Sequence, residues 1–173
     1  RQRQMCIRDS PGIDGEKYSL AGFGGSEVLM VLFTGTHCPT THAIEERLQT
    51  LVRDMADRSF KIVAINPNHS SGLRPDEFGH TLYDETFEDS RRYAEDLGWT
   101  FPFLYDGDEQ ITARAYGCLA TPHVFLFDRD LKLRYSGRFD DSRFLDASTV
   151  KHPDTRNAID AMLAGEPVPV ENT

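Results

Sequence analysis

The order of apolar and polar positions divides the chain into alternating strands and helices. Glu27 to Thr34 is a near-continuous apolar run without alternation, which predicts a strand buried on both faces. A short polar turn follows, and Cys38-Pro39 then opens an amphipathic helix. In that helix Ile44, Leu48, Leu51, Val52 and Met55 fall on one apolar stripe. Phe60 to Ile65 has the β-branched content of a second strand. Asn66 to Asp84 carries Pro67, Gly72, Pro75 and Gly79 and predicts a long loop. Thr86, with Asp89 three residues on, offers a cap for a helix from Phe87 to Leu97 that stops at Gly98. Thr100 to Leu104 predicts a short extended segment, with Pro102 pointing to a sheet edge. Asp108 to Tyr116 predicts a short helix closed by Gly117. His123 to Phe127 predicts a strand, and Leu131, Leu133 and Tyr135 alternate as its hairpin partner with one solvated face. Gly137 to Pro153 reads as loop, and Asp154 to Ala164 as a last helix ending at Gly165. Tyr18-Ser19-Leu20 is a candidate short edge segment. Strands alternating with helices, closed by a hairpin, define an α/β fold with a central mixed sheet flanked by helices.

Composition narrows this picture. A length of 173 residues suits one domain with a full core. The net charge of −9, with no basic stripe to offset it, argues against nucleic acid or an anionic membrane as partner. No apolar run approaches the ~18 residues of a membrane span. Three cysteines, Cys6, Cys38 and Cys118, are too few for a secreted disulfide framework and lack paired zinc-knuckle spacing. Residues 1–10 do not begin with Met, have no apolar signal core and show no periodicity. They read as a non-native lead and are set aside, with Cys6, from the fold. The domain is placed at residues 11–166, followed by a tail, 167–173, that could be cut short. This reading favours the cytoplasm. With the native N-terminus out of view, export to the periplasm stays open.

The chemistry concentrates at Cys38. The order strand, turn, Cys-Pro, helix puts its thiol at a helix N-terminus, where unpaired N–H groups and the helix dipole favour negative charge. Such a cysteine is biased toward the nucleophilic thiolate. It also lies at the C-terminal end of the first core strand, where open α/β sheets place their chemistry. His37 flanks it, His42 is four residues along the helix and His123 opens a later strand. With Cys38 these three could form a zinc or copper site, although no paired-ligand motif supports one. Thr40 and Thr41 could hydrogen-bond the Cys38 thiolate or cap the helix, with capping the default reading. The acid-rich run from Asp76 to Asp96 reads as a solvated loop and helix face.

The unit strand–turn–Cys-Pro–helix, followed roughly 80 residues later by Thr121-Pro122 opening a strand and hairpin, resembles the thioredoxin fold. More narrowly, THCPTTH, VAINPNHSSGLRPDEFG, FPFLYDGDEQITARAYG, ATPHVFLFDRDLKLRYSGRFDD and NAIDAMLAGEPVPV are similar to the peroxiredoxin-like redoxin-domain proteins, found mainly in bacteria, of the alkyl hydroperoxide reductase/thiol-specific antioxidant superfamily. The similarity runs roughly from Gly25 to Val170. It implies a cis bond before Pro122, with Thr121 and Pro122 packed beside the reactive cysteine. It also implies a cofactor-free thiol oxidoreductase or antioxidant in which Cys38 attacks a disulfide or peroxide, with a thioredoxin- or glutathione-type reductant.

The departures from that family pattern are specific. The second cysteine of a two-cysteine motif is replaced by Thr41, and the proline and hydroxyl of a peroxidatic motif are replaced by Val31 and Gly35. Cys118, four residues before Pro122, could resolve Cys38; its bland reading is a small buried apolar residue. An external thiol, or a thiol in a longer tail, could serve instead. The competing classes are a metal-binding module and a non-catalytic scaffold.

Overall fold

The computed structural model describes residues 10–73 and 82–173. Residues 1–9 with Cys6, and Pro75, Asp76 and Gly79 of the long loop, lie outside the described residues. An N-terminal hairpin, β1 (Ser10–Pro11) and β2 (Lys17–Tyr18), precedes β3 (Val28–Phe33), α1 (Pro39–Asp54), β4 (Phe60–Asn66), α2 (Phe87–Asp96), β5 (Phe103–Tyr105), α3 (Ile111–Tyr116), β6 (His123–Asp128), β7 (Leu133–Gly137) and α4 (Asp154–Leu163). The main sheet has the order β5-β4-β3-β6-β7. β4 runs parallel to β3 and β5 parallel to β4, whereas β6 and β7 are antiparallel to their neighbours.

β3 is the central strand, and all six of its residues are buried. Successive side chains point to opposite faces. Val28, Met30 and Leu32 therefore enter one cluster, with Ile44, Leu48, Leu51 and Met55 of α1 and Ala158 and Ile159 of α4. Leu29, Val31 and Phe33 enter a second, with Leu20, Phe23, Ala113 and Tyr116. Each fully buried aliphatic or Phe side chain is worth about 1.5–3 kcal/mol. The unbroken apolar run is the signature of that two-sided burial. Tyr93 and Ala94 of α2 pack on Ala64 and Phe103, on the α1 side of the sheet.

The structure corrects several expected boundaries. Pairing begins at Ser10, which faces Tyr18, and Leu20 belongs to a 3-10 turn, Leu20–Phe23, rather than to an edge segment. The hairpin clips onto the β5 edge through a bridge between Gly12 and Leu104. α3 starts at Ile111, not Asp108. Asp106 accepts from the Thr112 and Ala113 N–H groups at 2.9 and 2.8 Å, and Gln110 is left-handed (φ 52°), which bars an earlier helical start. Leu131 is also left-handed (φ 56°) and lies outside the hairpin strand. A bulge in the β6–β7 register, at Leu126/Phe127, breaks the predicted alternation, so Tyr135 is buried and Leu133 exposed. The tail also pairs: the Ser136 N–H donates to Glu171 O at 2.9 Å.

The segment after β7 is organised by a charge. Arg47 on α1 donates to both carboxylate oxygens of Asp140, at 2.7 and 3.1 Å, and to the Phe144 carbonyl at 2.8 Å. Its side chain is 11% exposed and that of Asp140 3%. Replacing Asp140 with Ala strands a buried guanidinium and is expected to cost about 3–5 kcal/mol. The paired change Arg47→Met/Asp140→Leu should recover most of that loss. Urea unfolding of the two variants beside the parent protein checks both expectations.

Candidate active site

The site is built where β3 hands over to α1. Thr34 donates its N–H to Ile65 O at 2.9 Å, still in sheet fashion. The next N–H groups turn away from the sheet: those of Thr36 and His37 both donate to Glu85 Oε1 at 2.9 Å. His37 Nδ1 meets the same oxygen, and the Thr36 hydroxyl donates to Asp84 O at 2.9 Å. Cys38 is the N-cap of α1, with Pro39 at the first helical position, where its missing N–H costs nothing. The partly exposed Cys38 thiol donates to Thr121 O at 3.1 Å, and the Thr121–Pro122 bond is cis. The register explains this meeting. Phe33 at the end of β3 faces His123 at the start of β6, so the chain just after one strand lies against the chain just before the other.

Glu85 was hidden in the sequence, inside the acid-rich run read as solvated. It is fully buried. Burial alone would push its carboxyl up. The hydrogen bonds it accepts, led by those from the His37 ring and backbone, outweigh burial and hold it below the ordinary carboxylate range. An ionised carboxylate only accepts, so His37 Nδ1 is the donor in this contact. Gly35 is required by close approach. A Cβ there would lie 2.3 Å from Asn68 Nδ2 and 2.9 Å from Glu85 Oε1. The position that would carry a peroxidatic hydroxyl is thus closed by the Asn68 and Glu85 side chains. The only forward signal for Glu85 was its place just before Thr86, which caps α2 by accepting from the Asp89 N–H at 3.2 Å.

The other expected residues divide. Thr41 neither caps α1 nor bonds the thiol; it is buried and accepts from the Thr34 hydroxyl at 3.2 Å. Thr40 is exposed and supplies no cap. Cys118 packs against the cluster on the sheet face opposite α1, and its thiol donates to Ala120 O at 3.2 Å. Burial pushes its pKa up to about 11. Cys38 and Cys118 are both free thiols. The three histidines have separate partners. His37 is on Glu85; His42 Nδ1 lies 2.5 Å from Glu45, which raises its pKa; and His123 Nε2 lies 3.1 Å from Ser136 Oγ, with burial lowering its pKa. Among the described residues no group of three or more His, Cys, Asp or Glu is placed to hold a metal ion. None of the described helices is long and apolar enough to cross a membrane.

The five-stranded mixed sheet with flanking helices is a thioredoxin-like fold. The profile of the AhpC/TSA family matches residues 8–136, and the chain belongs to that family. It is similar to a hypothetical protein from Sinorhizobium meliloti 1021, 33% identical over 100% of this chain and 93% of that one, with a TM-score of 0.80. An uncharacterized conserved protein from Geobacillus kaustophilus is 32% identical over 96% of this chain and 86% of that one, with a TM-score of 0.78. A secreted disulfide oxidoreductase of Mycobacterium tuberculosis, homologous to E. coli DsbE, shares the fold at 12% identity over 90% of this chain and 93% of that one, with a TM-score of 0.59. No curated protein matches the chain.

The depressed Glu85 pKa fixes the sign of a pH effect. The stability it contributes is fully present above the ordinary value of 4.5 and is lost as pH falls through the lower native value. Glu85→Gln is expected to cost about 1–2 kcal/mol at pH 7 by removing charge-assisted bonds. That gap should close as pH falls below 4.5 and through the lower native value, as read by urea unfolding of both proteins across the range.

Proposed function

We propose that the protein is a one-cysteine thiol–disulfide oxidoreductase in which Cys38 is the nucleophile and an external thiol completes the cycle. The observation that carries this reading is the placement of Cys38: N-cap of α1, at the C-terminal end of the central strand, with Sγ 3.1 Å from the Thr121 carbonyl beside the cis Thr121–Pro122 bond. Membership of the AhpC/TSA family agrees with sulfur chemistry at this cysteine.

In the forward step the Cys38 thiolate attacks one sulfur of a substrate disulfide. A Cys38–substrate disulfide forms and the second substrate sulfur leaves as thiolate. A thioredoxin- or glutathione-type thiolate then attacks the mixed disulfide at the substrate sulfur. Cys38 leaves as thiolate, and substrate and reductant are now joined. A peroxide can enter the same cycle: its terminal oxygen transfers to Cys38 as sulfenic acid, the remaining oxygen departs as hydroxide or alkoxide and is protonated, and a thiol condenses with loss of water. Disulfide exchange is the better-supported entry, because Val31 and Gly35 stand at the peroxidatic positions and the space at Gly35 is closed.

Cys118 is given no resolving role here. Its thiol packs on the opposite sheet face and its pKa is pushed up to about 11, both unsuited to fast attack at neutral pH.

Intact-mass and peptide mass spectrometry after a brief pulse of glutathione disulfide tests the reading. The expected product is one glutathione on Cys38, formed equally in Cys118→Ala and absent in Cys38→Ser. A Cys38–Cys118 disulfide as the main product would replace the external thiol with an internal one. An unmodified Cys38, under conditions that modify a free surface thiol, would leave the fold as a scaffold.

A further inference from the structure

We infer that Glu85 is the positioning residue of the Cys38 site, acting through the turn that delivers the thiol. The inference rests on Cys38 as the reacting group. Glu85 lies 47 residues from Cys38 in sequence (85 − 38) and has no contact with its sulfur among the bonds described above.

The geometry is specific to this turn. After Thr34 the chain leaves the sheet, and before His42, whose N–H donates to Cys38 O at 3.1 Å, it has not yet entered the helix ladder. Between those points the backbone needs partners that neither element supplies. One buried oxygen, Glu85 Oε1, accepts the Thr36 N–H, the His37 N–H and the His37 ring. The carbonyl of the preceding residue, Asp84, takes the Thr36 hydroxyl. The carboxylate arrives on a rigid stem, because Thr86 is the N-cap of α2 and the Asp84 N–H is held by Asp89 Oδ2 at 3.0 Å. The absence of a side chain at Gly35 lets it approach. Cys38 is thus hung between a fixed turn on one side and the Thr121 carbonyl on the other. What the turn needs from Glu85 is an acceptor at the right reach, so a glutamine should substitute and a shorter acid should not.

The test reads the thiol directly. In a protein whose only thiol is Cys38 (Cys6→Ala, Cys118→Ala), the Raman S–H stretching band reports the hydrogen bond to Thr121 O. In mildly acidic buffer, which keeps the thiol protonated, we expect a down-shifted, narrow band that Glu85→Gln retains. Glu85→Asp, which keeps the charge and withdraws the carboxylate by one methylene, should shift the band toward the free-thiol position and broaden it. Glu85→Ala should do the same if it folds; the Asp variant carries the test if it does not. A band unchanged in folded Glu85→Asp overturns the inference. So does a Gln variant that loses the band as fully as Asp, or a band already at the free-thiol position before substitution. Glutathione-disulfide modification of the same protein separates the two readings. A band that obeys Glu85 in a protein inert to disulfide sustains the positioning role and removes the redox function. A reactive Cys38 whose band ignores Glu85 does the reverse.

Discussion

Everything in this molecule depends on β3 being buried on both faces. A strand with no solvated face must sit at the centre of the sheet, with helices over one side and the α3 layer over the other. Its neighbours then determine what meets at its C-terminal end. β4 runs parallel and β6 antiparallel, so the exit from β3 lies beside the entrance to β6. Cys38 is five residues past Phe33 (38 − 33), and Thr121 is two residues before His123 (123 − 121), on strands whose ends are paired. Topology thus brings the turn after β3 and the loop before β6 together, and the hydrophobic burial of Val28 to Phe33 holds the two strand ends side by side.

Where the sheet's hold ends, buried charge takes over. Two segments that the hydrophobic pattern leaves unspecified, the turn before α1 and the stretch after β7, are each gathered by one ionised side chain reaching from a helix or its threshold. Glu85 collects donors of the turn; Arg47 collects Asp140 and carbonyls of the later stretch. A buried charge is costly unless its hydrogen-bonding capacity is used. The segment each one gathers supplies bonds of this kind, to Oε1 of Glu85 and to the guanidinium of Arg47. The same dependence fixes the conformation of both segments, whose described residues hold no more regular structure than a 3-10 turn at Ala147–Thr149.

This division explains what was legible in the sequence. The buried strand, the α1 stripe at Ile44, Leu48, Leu51 and Met55, and the helix stops at Gly98, Gly117 and Gly165 were readable because periodicity and left-handed turns are local signals. Cys38 at a helix start was readable for the same reason. Glu85 and Arg47 were not. A buried charge has the same letter as a solvated one, and their partners are 48 and 93 residues away. The register break that buries Tyr135 and exposes Leu133 was also hidden, since a bulge leaves the alternation of letters intact while changing which face each letter occupies.

The two described cysteines occupy different surroundings. In chain order Cys118 is close to Thr121 and Pro122, which suggests a partner for Cys38. In space the α3 layer claims it: the backbone N–H of Cys118 closes α3 onto Ala113 O at 2.9 Å, and its side chain joins the cluster beneath that helix. Cys38 belongs to the helix layer on the other face. The loop between Gly117 and Pro122 thus carries one thiol inward and presents one carbonyl, that of Thr121, outward to Cys38. Bringing Cys118 to Cys38 would require giving up its apolar contacts and its bond to Ala120. The Cys38 thiol thus meets the Thr121 carbonyl, whereas the Cys118 thiol bonds Ala120 O and packs against the cluster on the sheet face opposite α1.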